Sequence, residues 1–361
     1  MNKFFPNLNA LRFIAATAVV IFHIELYKSF FNIPNLFNLP FFKIVGKLGV
    51  VLFFVLSGFL ITTLLLNEKE KTGKINFKNF YLRRILRIWP LYFLILILGF
   101  FVLPHFSYWE IPKDIFQPVS ENFWEKLTLY VLILPNLAVA KYHEVVGVSQ
   151  SWSLGTEEQF YLIWPVIIVF FRKKLPITLL LILLGYWSLR LFFGKLASIF
   201  EVFNMVVSFW NLFNINCMTI GGLFAILYKQ NNKIFIRLVF DKYVYYVVLL
   251  TLFMSLTFGL KFGFFHYEIY SLFFAVIILN LACNPKYSKV LENKIISYLG
   301  SISYGIYMYH PAILPPAIKI AQYYHLNYLI YLITVPVTFI ISALSYEYFE
   351  KYFLKFKSKF T

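Results

Sequence analysis

Long apolar stretches recur from one end of the chain to the other. The stretch GVVLFFVLSGFLITTLLL, from Gly49 to Leu66, is apolar on every face of a helix, and about 20 such residues cross a hydrocarbon core of roughly 30 Å. Strands of a membrane barrel alternate apolar and polar side chains instead. We therefore predict an all-α, polytopic membrane protein with about ten transmembrane helices. The predicted spans are residues 8–27, 46–66, 88–104, 151–171, 176–193, 209–228, 243–260, 267–283, 297–317 and 328–349.

The apolar segment 127–140 is short for a span and contains Pro135 and Asn136. We interpret it as a re-entrant or interfacial piece, because irregular backbone at membrane depth is tolerated only within protein or a water-filled cavity. No repeat, low-complexity tract or long hydrophilic extension divides the chain. Residues 1–361 are therefore predicted to form a single membrane-embedded domain, with no separate soluble domain.

Composition and charge refine this topology. Hydrophobic residues make up 60% of the 361 residues, charged residues make up 14%, and the mean hydropathy is +0.73. A net charge of +17 would favour nucleic-acid binding in a soluble protein. Here, with the amino terminus inside, 22 of the 33 Lys and Arg residues fall in inner segments, including Lys3 and Arg172 to Lys174, and nine fall in outer segments. The charge follows the positive-inside rule, which predicts cytoplasmic termini and no nucleic-acid partner.

Four ionisable side chains fall within the predicted spans, where an unpaired one costs several kcal/mol. They are Arg12, His23, Glu157 and His310. Arg12 and His23 share one helix face, about 16 Å apart along the axis. His23, Glu157 and His310 have similar predicted depths near the outer side, so we predict that they share one chamber. A neutral His beside a carboxylate can take a proton from a hydroxyl, because the carboxylate fixes the tautomer and stabilises the imidazolium.

A basic motif precedes the third span. The run FYLRRILRIWPLY contains Arg83, Arg84 and Arg87, and the last two are neighbours on a helix face. Guanidinium groups bind phosphates bidentately, which predicts a site for a phosphorylated donor from the cytoplasm. The alternative is a positive-inside cluster that contacts lipid headgroups.

Five motifs, taken in order, resemble the acyltransferase 3 family of integral membrane O-acyltransferases along nearly the whole chain. They are NALRFIAATAVVIFH with Arg12 and His23; GKLGVVLFFVLSGFLI with Gly46, Gly49, Ser57, Gly58 and Phe59; the arginine motif with Pro90; SWSLGTEEQFYLIWP with Trp152, Ser153, Glu157 and Phe160; and SISYGIYMYHP with Tyr304, Tyr307 and His310. We interpret the SGF segment with Ser57 as a helix-packing site rather than as a nucleophile. Asn9, Asn214 and Tyr352 depart from residues that are frequent in the family, which leaves the acceptor class open.

The resemblance implies transfer of an acyl group, most often acetyl, from cytoplasmic acyl-CoA to a hydroxyl of a cell-surface or exported carbohydrate. Acyl-CoA (acetyl-CoA) is then a co-substrate, with no permanently bound cofactor and no metal. Trp152, Ser153, Tyr304, Tyr307 and His310 are acceptor-side or supporting candidates. The implied location is the bacterial inner membrane, with membrane lipid, a carbohydrate acceptor and a separate periplasmic or polysaccharide-assembly protein as partners. For direct transfer, our hypothesis is that His23 is the general base for the acceptor hydroxyl, that Glu157 orients it, and that Arg12 stabilises the thioester or the developing oxyanion. A covalent acyl-histidine is the competing route.

Two other classes of protein also place polar residues within membrane spans. A transporter or flippase for a lipid-linked or small anionic substrate uses such residues along its pathway, and an accessory subunit uses them for helix contacts. The sequence has no detectable inverted repeat. Neither class accounts for the joint occurrence of the five motifs, so an O-acyltransferase, with O-acetylation as the expected reaction, is the preferred prediction.

Overall fold

The computed structural model describes residues 5, 7–112, 118–142, 144–171, 174–287 and 289–360, and the predicted inner cations Lys3, Arg172 and Lys173 lie outside that part. The regular structure of the described residues is entirely helical. The α-helices are α1 (Leu8–Phe30), α2 (Pro40–Thr72), α3 (Phe77–Ile97), α4 (Phe123–Val131), α5 (Pro135–Lys141), α6 (Trp152–Phe170), α7 (Leu175–Ala197), α8 (Asn204–Leu212), α9 (Ile215–Lys229), α10 (Lys233–Val239), α11 (Lys242–Phe258), α12 (His266–Cys283), α13 (Lys294–Ser301), α14 (Ser303–Tyr323), α15 (Leu329–Ser345) and α16 (Lys351–Phe356).

The helices are those of a multi-pass membrane protein, but the predicted count of ten spans is not confirmed. Seven helices in the described residues are long and apolar enough to cross a membrane, or eight if α10 and α11, which meet at 53°, form one bent span. Helices α6 and α14 lie outside this set although they have 19 and 21 residues. They carry Glu157 and His310, and their polar side chains and prolines lower their hydropathy.

Helix α2 is the centre of the bundle and contacts α1, α6, α9, α11 and α12. Its closest neighbour is α9, because glycines let the two backbones approach. A Cβ atom on Gly58 would lie 1.9 Å from the carbonyl oxygen of Met218, and one on Gly221 would lie 2.2 Å from that of Val55. Small residues at such crossings are the usual route to close packing in membranes. Gly58 in the SGF motif is therefore a packing residue, as predicted.

Several predicted spans are broken or flanked by short pieces. The predicted span 209–228 consists of α8 and α9, which are separated at Phe213 and Asn214, and the span 297–317 consists of α13 and α14, which meet at Ile302. The segment 127–140 forms parts of α4 and α5, of nine and seven residues. At about 1.5 Å per residue neither can cross a membrane, so the segment is not an additional span.

The segment that leads into α6 is folded into the bundle. Ser149, Gln150 and Ser151 are all buried. The Gln150 side-chain amide donates to the carbonyl oxygens of Gly147 at 2.8 Å and Met308 at 2.7 Å. These bonds place the start of α6 next to Met308 in the first third of α14. The residues that lead into α6 are therefore buried inside the bundle.

Candidate active site

His23 of α1 and His310 of α14, two of the three residues that were expected to share one chamber, form a pair. Nδ1 of His23 lies 3.2 Å from Nε2 of His310, and the two ring centroids are 4.9 Å apart. His310 is fully buried and His23 is partly buried. The two residues are 287 positions apart, so the packing of α14 against α1 creates the pair.

The neighbouring carbonyl groups define how protons are placed on the pair. Nδ1 of His23 lies 2.9 Å from the carbonyl oxygen of Val19, and Nδ1 of His310 lies 3.2 Å from that of Ile306. Because a carbonyl oxygen only accepts, each neutral imidazole carries its proton on Nδ1. Nε2 of His310 then accepts from Nδ1 of His23. Nε2 of His23 keeps its lone pair and has no hydrogen-bond partner among the described residues, so it is available as a base.

A second group of predicted residues lines a cavity deeper in the bundle. Its walls come from α1, α2, α3, α6 and α14, and its volume of about 100 Å³ is enough for several water molecules. Its polar lining residues are Arg12, Ser57, Arg84, Arg87, Ser153, Glu157, Tyr161, Ser303, Tyr304 and Tyr307. We refer to it as the arginine cavity. It brings Arg12, which is about three turns from His23 on α1, together with the predicted donor arginines.

Glu157 belongs to the arginine cavity rather than to the histidine pair, so the prediction that it orients His23 is wrong. Its carboxylate accepts hydrogen bonds from the hydroxyls of Ser57 and Tyr161. The hydrogen-bond partners of His23 in the described part of the chain are Val19 and His310. The prediction failed because it assumed that α6 starts at the membrane boundary. Gln150 anchors that start beside Met308, which places Glu157, seven residues later, about 10 Å deeper.

The three arginines of the basic motif occupy different environments. The Arg83 guanidinium forms an ion pair with Glu68 at 2.9 Å and donates to the carbonyl oxygen of Phe360 at 2.6 Å. Arg84 is 8% exposed, lies 5.9 Å from the ring centroids of Phe80 and Tyr161, and has a buried Nε atom without a hydrogen-bond partner. Arg84 and Arg87 line the cavity, whereas Arg83 does not. The predicted cluster thus divides into one neutralised arginine and two that face the site.

The remaining candidates connect the two regions. The hydroxyls of Ser153 and Tyr307 are 2.7 Å apart, and the Tyr307 hydroxyl also donates to the Gln150 carbonyl oxygen at 2.8 Å. The Tyr307 ring is 6.0 Å from the His310 ring, so this residue touches both the cavity and the histidine pair. Tyr304 donates to the carbonyl oxygen of Ile88 on α3 at 2.9 Å.

Trp152, the last of these candidates, lies at the start of α6. Its ring centroid is 6.3 Å from that of Phe54, which lines the arginine cavity. Trp152 therefore packs behind the cavity wall on α2. Its position supports the geometry of that wall rather than a direct role in chemistry.

Sequence reasoning missed two residues of the site. Ser57 faces the cavity and hydrogen-bonds to Glu157, although the SGF segment was expected to serve packing alone. Tyr161 hydrogen-bonds to both Glu157 and Ser57, the latter at 3.1 Å. A signal for Tyr161 exists in the sequence, because it lies one helical turn after Glu157 and shares its face.

Comparison with known proteins identifies a matching family. A family model described as an acyltransferase domain matches residues 5–347. The peptidoglycan O-acetyltransferase OatA of Listeria monocytogenes is 27% identical over 99% of this chain and 58% of its own length. The O-acetyltransferase OatA of Staphylococcus aureus is 26% identical over 96% of this chain and 57% of its own length. The chain therefore spans less than three-fifths of the length of these curated relatives. No solved structure matches it.

The matched region contains all five sequence motifs, the histidine pair and the lining of the arginine cavity. The family prediction is confirmed, and the chain belongs to the acyltransferase 3 family of acyltransferases.

Proposed function

We propose that this chain is a membrane O-acetyltransferase that moves an acetyl group from cytoplasmic acetyl-CoA to a hydroxyl of a cell-surface or exported carbohydrate. Family membership and two relatives that are named O-acetyltransferases support the reaction class. One of those relatives is named for peptidoglycan, which makes a peptidoglycan glycan the first acceptor to test. The location proposed is the bacterial inner membrane with cytoplasmic termini, as the distribution of cations along the sequence indicates.

The observation that carries the proposal is the hydrogen bonding of the histidine pair. His23 has its Nδ1 proton held by Val19 and His310, so its Nε2 lone pair can accept a proton. A base of this kind contributes about 10²- to 10⁴-fold to the rate of a proton-transfer step.

The proposed reaction is a direct transfer. Nε2 of His23 takes the proton from the acceptor hydroxyl as its oxygen attacks the thioester carbonyl carbon. The carbon–sulfur bond then breaks, and the thiolate takes the proton from His23 to leave as the CoA thiol. His310 stabilises the transient imidazolium by accepting the Nδ1 hydrogen bond. Atoms and charge balance without any further reactant.

The arginine cavity supplies the donor side of this mechanism. Arg84 and Arg87 bind the phosphates of the donor by charge-assisted hydrogen bonds. Glu157 holds Ser57 and Tyr161 in place and offsets part of the charge of the cavity. The pantetheine arm then passes Tyr307 toward His23, and Arg12 lies along its path. The product leaves either from this domain or through a separate periplasmic or polysaccharide-assembly partner.

The test compares wild type with His23→Gln at matched membrane levels, using labelled acetyl-CoA and soluble peptidoglycan fragments. We expect the variant to lose at least about 100-fold in acetyl transfer, because the general base is absent. His325→Gln is the matched control, since His325 lies outside the site between α14 and α15, and it should keep full activity. Equal transfer by wild type and His23→Gln would contradict the catalytic assignment.

A second measurement separates direct transfer from the acyl-histidine route. The protein is incubated with acetyl-CoA alone, quenched and analysed by intact and peptide mass spectrometry. Direct transfer predicts no acetyl adduct on the peptide that contains His23. A stoichiometric adduct on His23 that disappears when acceptor is added would overturn the direct route.

A further inference from the structure

The segment 351–360 covers the side of α3 that carries the donor arginines. It comprises α16 and a following 3₁₀ turn (Lys357–Phe360), and both pack against α3. The guanidinium of Arg83 donates to the carbonyl oxygen of Phe360 at 2.6 Å and is paired with Glu68 on α2. Arg83 therefore ties the segment to α3 and α2 at the inner end of the cavity.

Lys357 lies in the turn that packs against α3, within electrostatic range of the arginines. Its side chain is partly buried, and the positive charges of Arg87, Arg84, Arg83 and Arg12 act on it. Burial and these four charges lower the pKa of Lys357 to about 8. An ammonium group held in this position is repelled by every arginine of the site, so packing of the segment brings like charges together.

The carboxylates nearby do not neutralise these cations by direct ion pairs. Among the described residues, Arg12, Arg84, Arg87 and Lys357 form no ion pair with a carboxylate, and the only acid paired with the motif is Glu68, with Arg83. The other acids of the region have different hydrogen-bond partners: Glu157 has Ser57 and Tyr161, Glu158 has Trp89, and Glu350 has Ser345. Arg12, Arg84 and Arg87 line one cavity in which Glu157 is the one carboxylate among the described lining residues, and their charges also act on Lys357. A multiply charged anion stabilises such an excess of positive charge.

We infer that Lys357 is a ligand of the donor phosphates and that the segment 351–360 closes the inner mouth of the arginine cavity over them. This inference rests on the proposed function, because it assigns the anion to the phosphorylated end of acyl-CoA. Bound phosphate bridges Lys357 on one side and Arg84 and Arg87 on the other, so donor binding and docking of the segment stabilise each other. Lys357 is then a binding residue that the family motifs do not include.

The test uses the full chain in lipid nanodiscs and adenosine 3′,5′-bisphosphate as the probe. This probe carries phosphates of the CoA nucleotide without the pantetheine arm, and neutral adenosine serves as the uncharged reference. Dissociation constants are measured by calorimetry for wild type, Lys357→Met, Lys357→Arg and Lys359→Met. Lys359 is the matched control because it lies in the same turn with its ammonium 5.3 Å from the Phe356 ring centroid. Thermal unfolding without ligand checks that each variant is folded.

We expect Lys357→Met to weaken binding of the bisphosphate about tenfold, the size of one hydrogen bond to a charged group. Lys357→Arg and Lys359→Met should bind it like wild type, and adenosine should not distinguish the proteins. If wild type binds the bisphosphate and Lys357→Met binds it equally well, the role of Lys357 is refuted while the proposed function stands. If wild type itself prefers the bisphosphate no more than adenosine, both proposals fall.

Discussion

The histidine pair and the arginine cavity share helices α1 and α14 but satisfy their polar groups in opposite ways. Each imidazole donates to the backbone carbonyl group one turn earlier on its own helix, and the two rings bond to each other. The guanidinium groups of Arg84 and Arg87 lie in the cavity without carboxylate ion pairs in the described part of the chain. One region makes its hydrogen bonds within the protein, and the other is a charged site that, in the proposed function, takes its partner from outside.

This difference indicates a division of labour. A site whose hydrogen bonds are already made can present one lone pair with little reorganisation, which suits the chemical step. A site with excess positive charge binds a negative ligand and adds little to the chemistry itself. Changes at the histidine pair should therefore alter kcat, and changes at the arginine cavity should alter the KM for the donor.

The largest expected effect on donor binding comes from removing both free arginines. Arg84→Met combined with Arg87→Met should raise the KM for acetyl-CoA by about 100-fold or more, since each lost bond to a charged group costs about 1.5–3 kcal/mol. The rate at saturating donor should change far less. Steady-state release of the CoA thiol measures both constants. Lys359→Met is the control and should leave KM unchanged, because the Lys359 ammonium packs beside the Phe356 ring, 5.3 Å from its centroid. A fall in kcat with unchanged KM would contradict the proposal that the arginine cavity binds the donor while the histidine pair performs the chemical step.

His310→Gln tests the other side of the comparison. The imidazole that accepts from Nδ1 of His23 is lost, so the imidazolium formed during transfer is less stable. We expect kcat to fall about tenfold, the size of one hydrogen bond to a charged group, with an unchanged KM for acetyl-CoA. Steady-state kinetics checks this split. A changed donor KM at normal kcat would show that the two regions are not separate.

Titration of Lys357 should give the arginine cavity a pH dependence that the histidine pair lacks. The pKa of Lys357 is lowered to about 8, so its ammonium group is present at pH 7 and lost by pH 9. The charged groups that face it are Arg12, Arg83, Arg84 and Arg87. The KM for acetyl-CoA should therefore rise several-fold between pH 7 and 9 in wild type. It should stay level in Lys357→Met, and a parallel rise in that variant would assign the titration elsewhere.

The smallest effect is expected where the two regions meet. Tyr307→Phe removes a hydroxyl that bonds to Ser153 and to the Gln150 carbonyl oxygen, at a cost of about 1 kcal/mol in stability. Both kcat and KM should change by no more than about threefold, because the ring still separates the cavity from His310. Thermal unfolding and steady-state kinetics measure the two effects. Tyr309→Phe, whose hydroxyl bonds to Ser345 at 2.9 Å, is the matched control.

The helical periodicity of the sequence predicted much of this arrangement. Arg12 and His23 were placed on one face of a helix, and the structure has both on α1. The membership of Arg84 and Arg87 in one site follows from their spacing of three residues. Gly58 was expected to serve packing because it lies among small residues, and its contact with Met218 agrees.

The depth of side chains could not be predicted in the same way. Depth depends on where each helix enters the bundle, and hydropathy alone places that entry at the membrane boundary. Glu157 lies away from His23 because the residues that precede α6, Ser149, Gln150 and Ser151, are buried inside the bundle. The same limit affected the count of spans, since the helices that carry Glu157 and His310 are the most polar of those predicted. Polar residues that make a site also weaken the signal by which its helix is recognised.

Helix α1 limits the length of the donor that the proposed mechanism can use. Arg12 and His23 lie eleven residues apart on one unbroken helix, so their separation of about 16 Å is set by the rise per residue and not by any loop. In the proposed mechanism, helix α1 therefore fixes the distance between the charge that meets the donor and the base that meets the acceptor. Loop insertions and deletions leave this distance unchanged. A change in the reach of the donor would require residues to be added or removed within α1 itself.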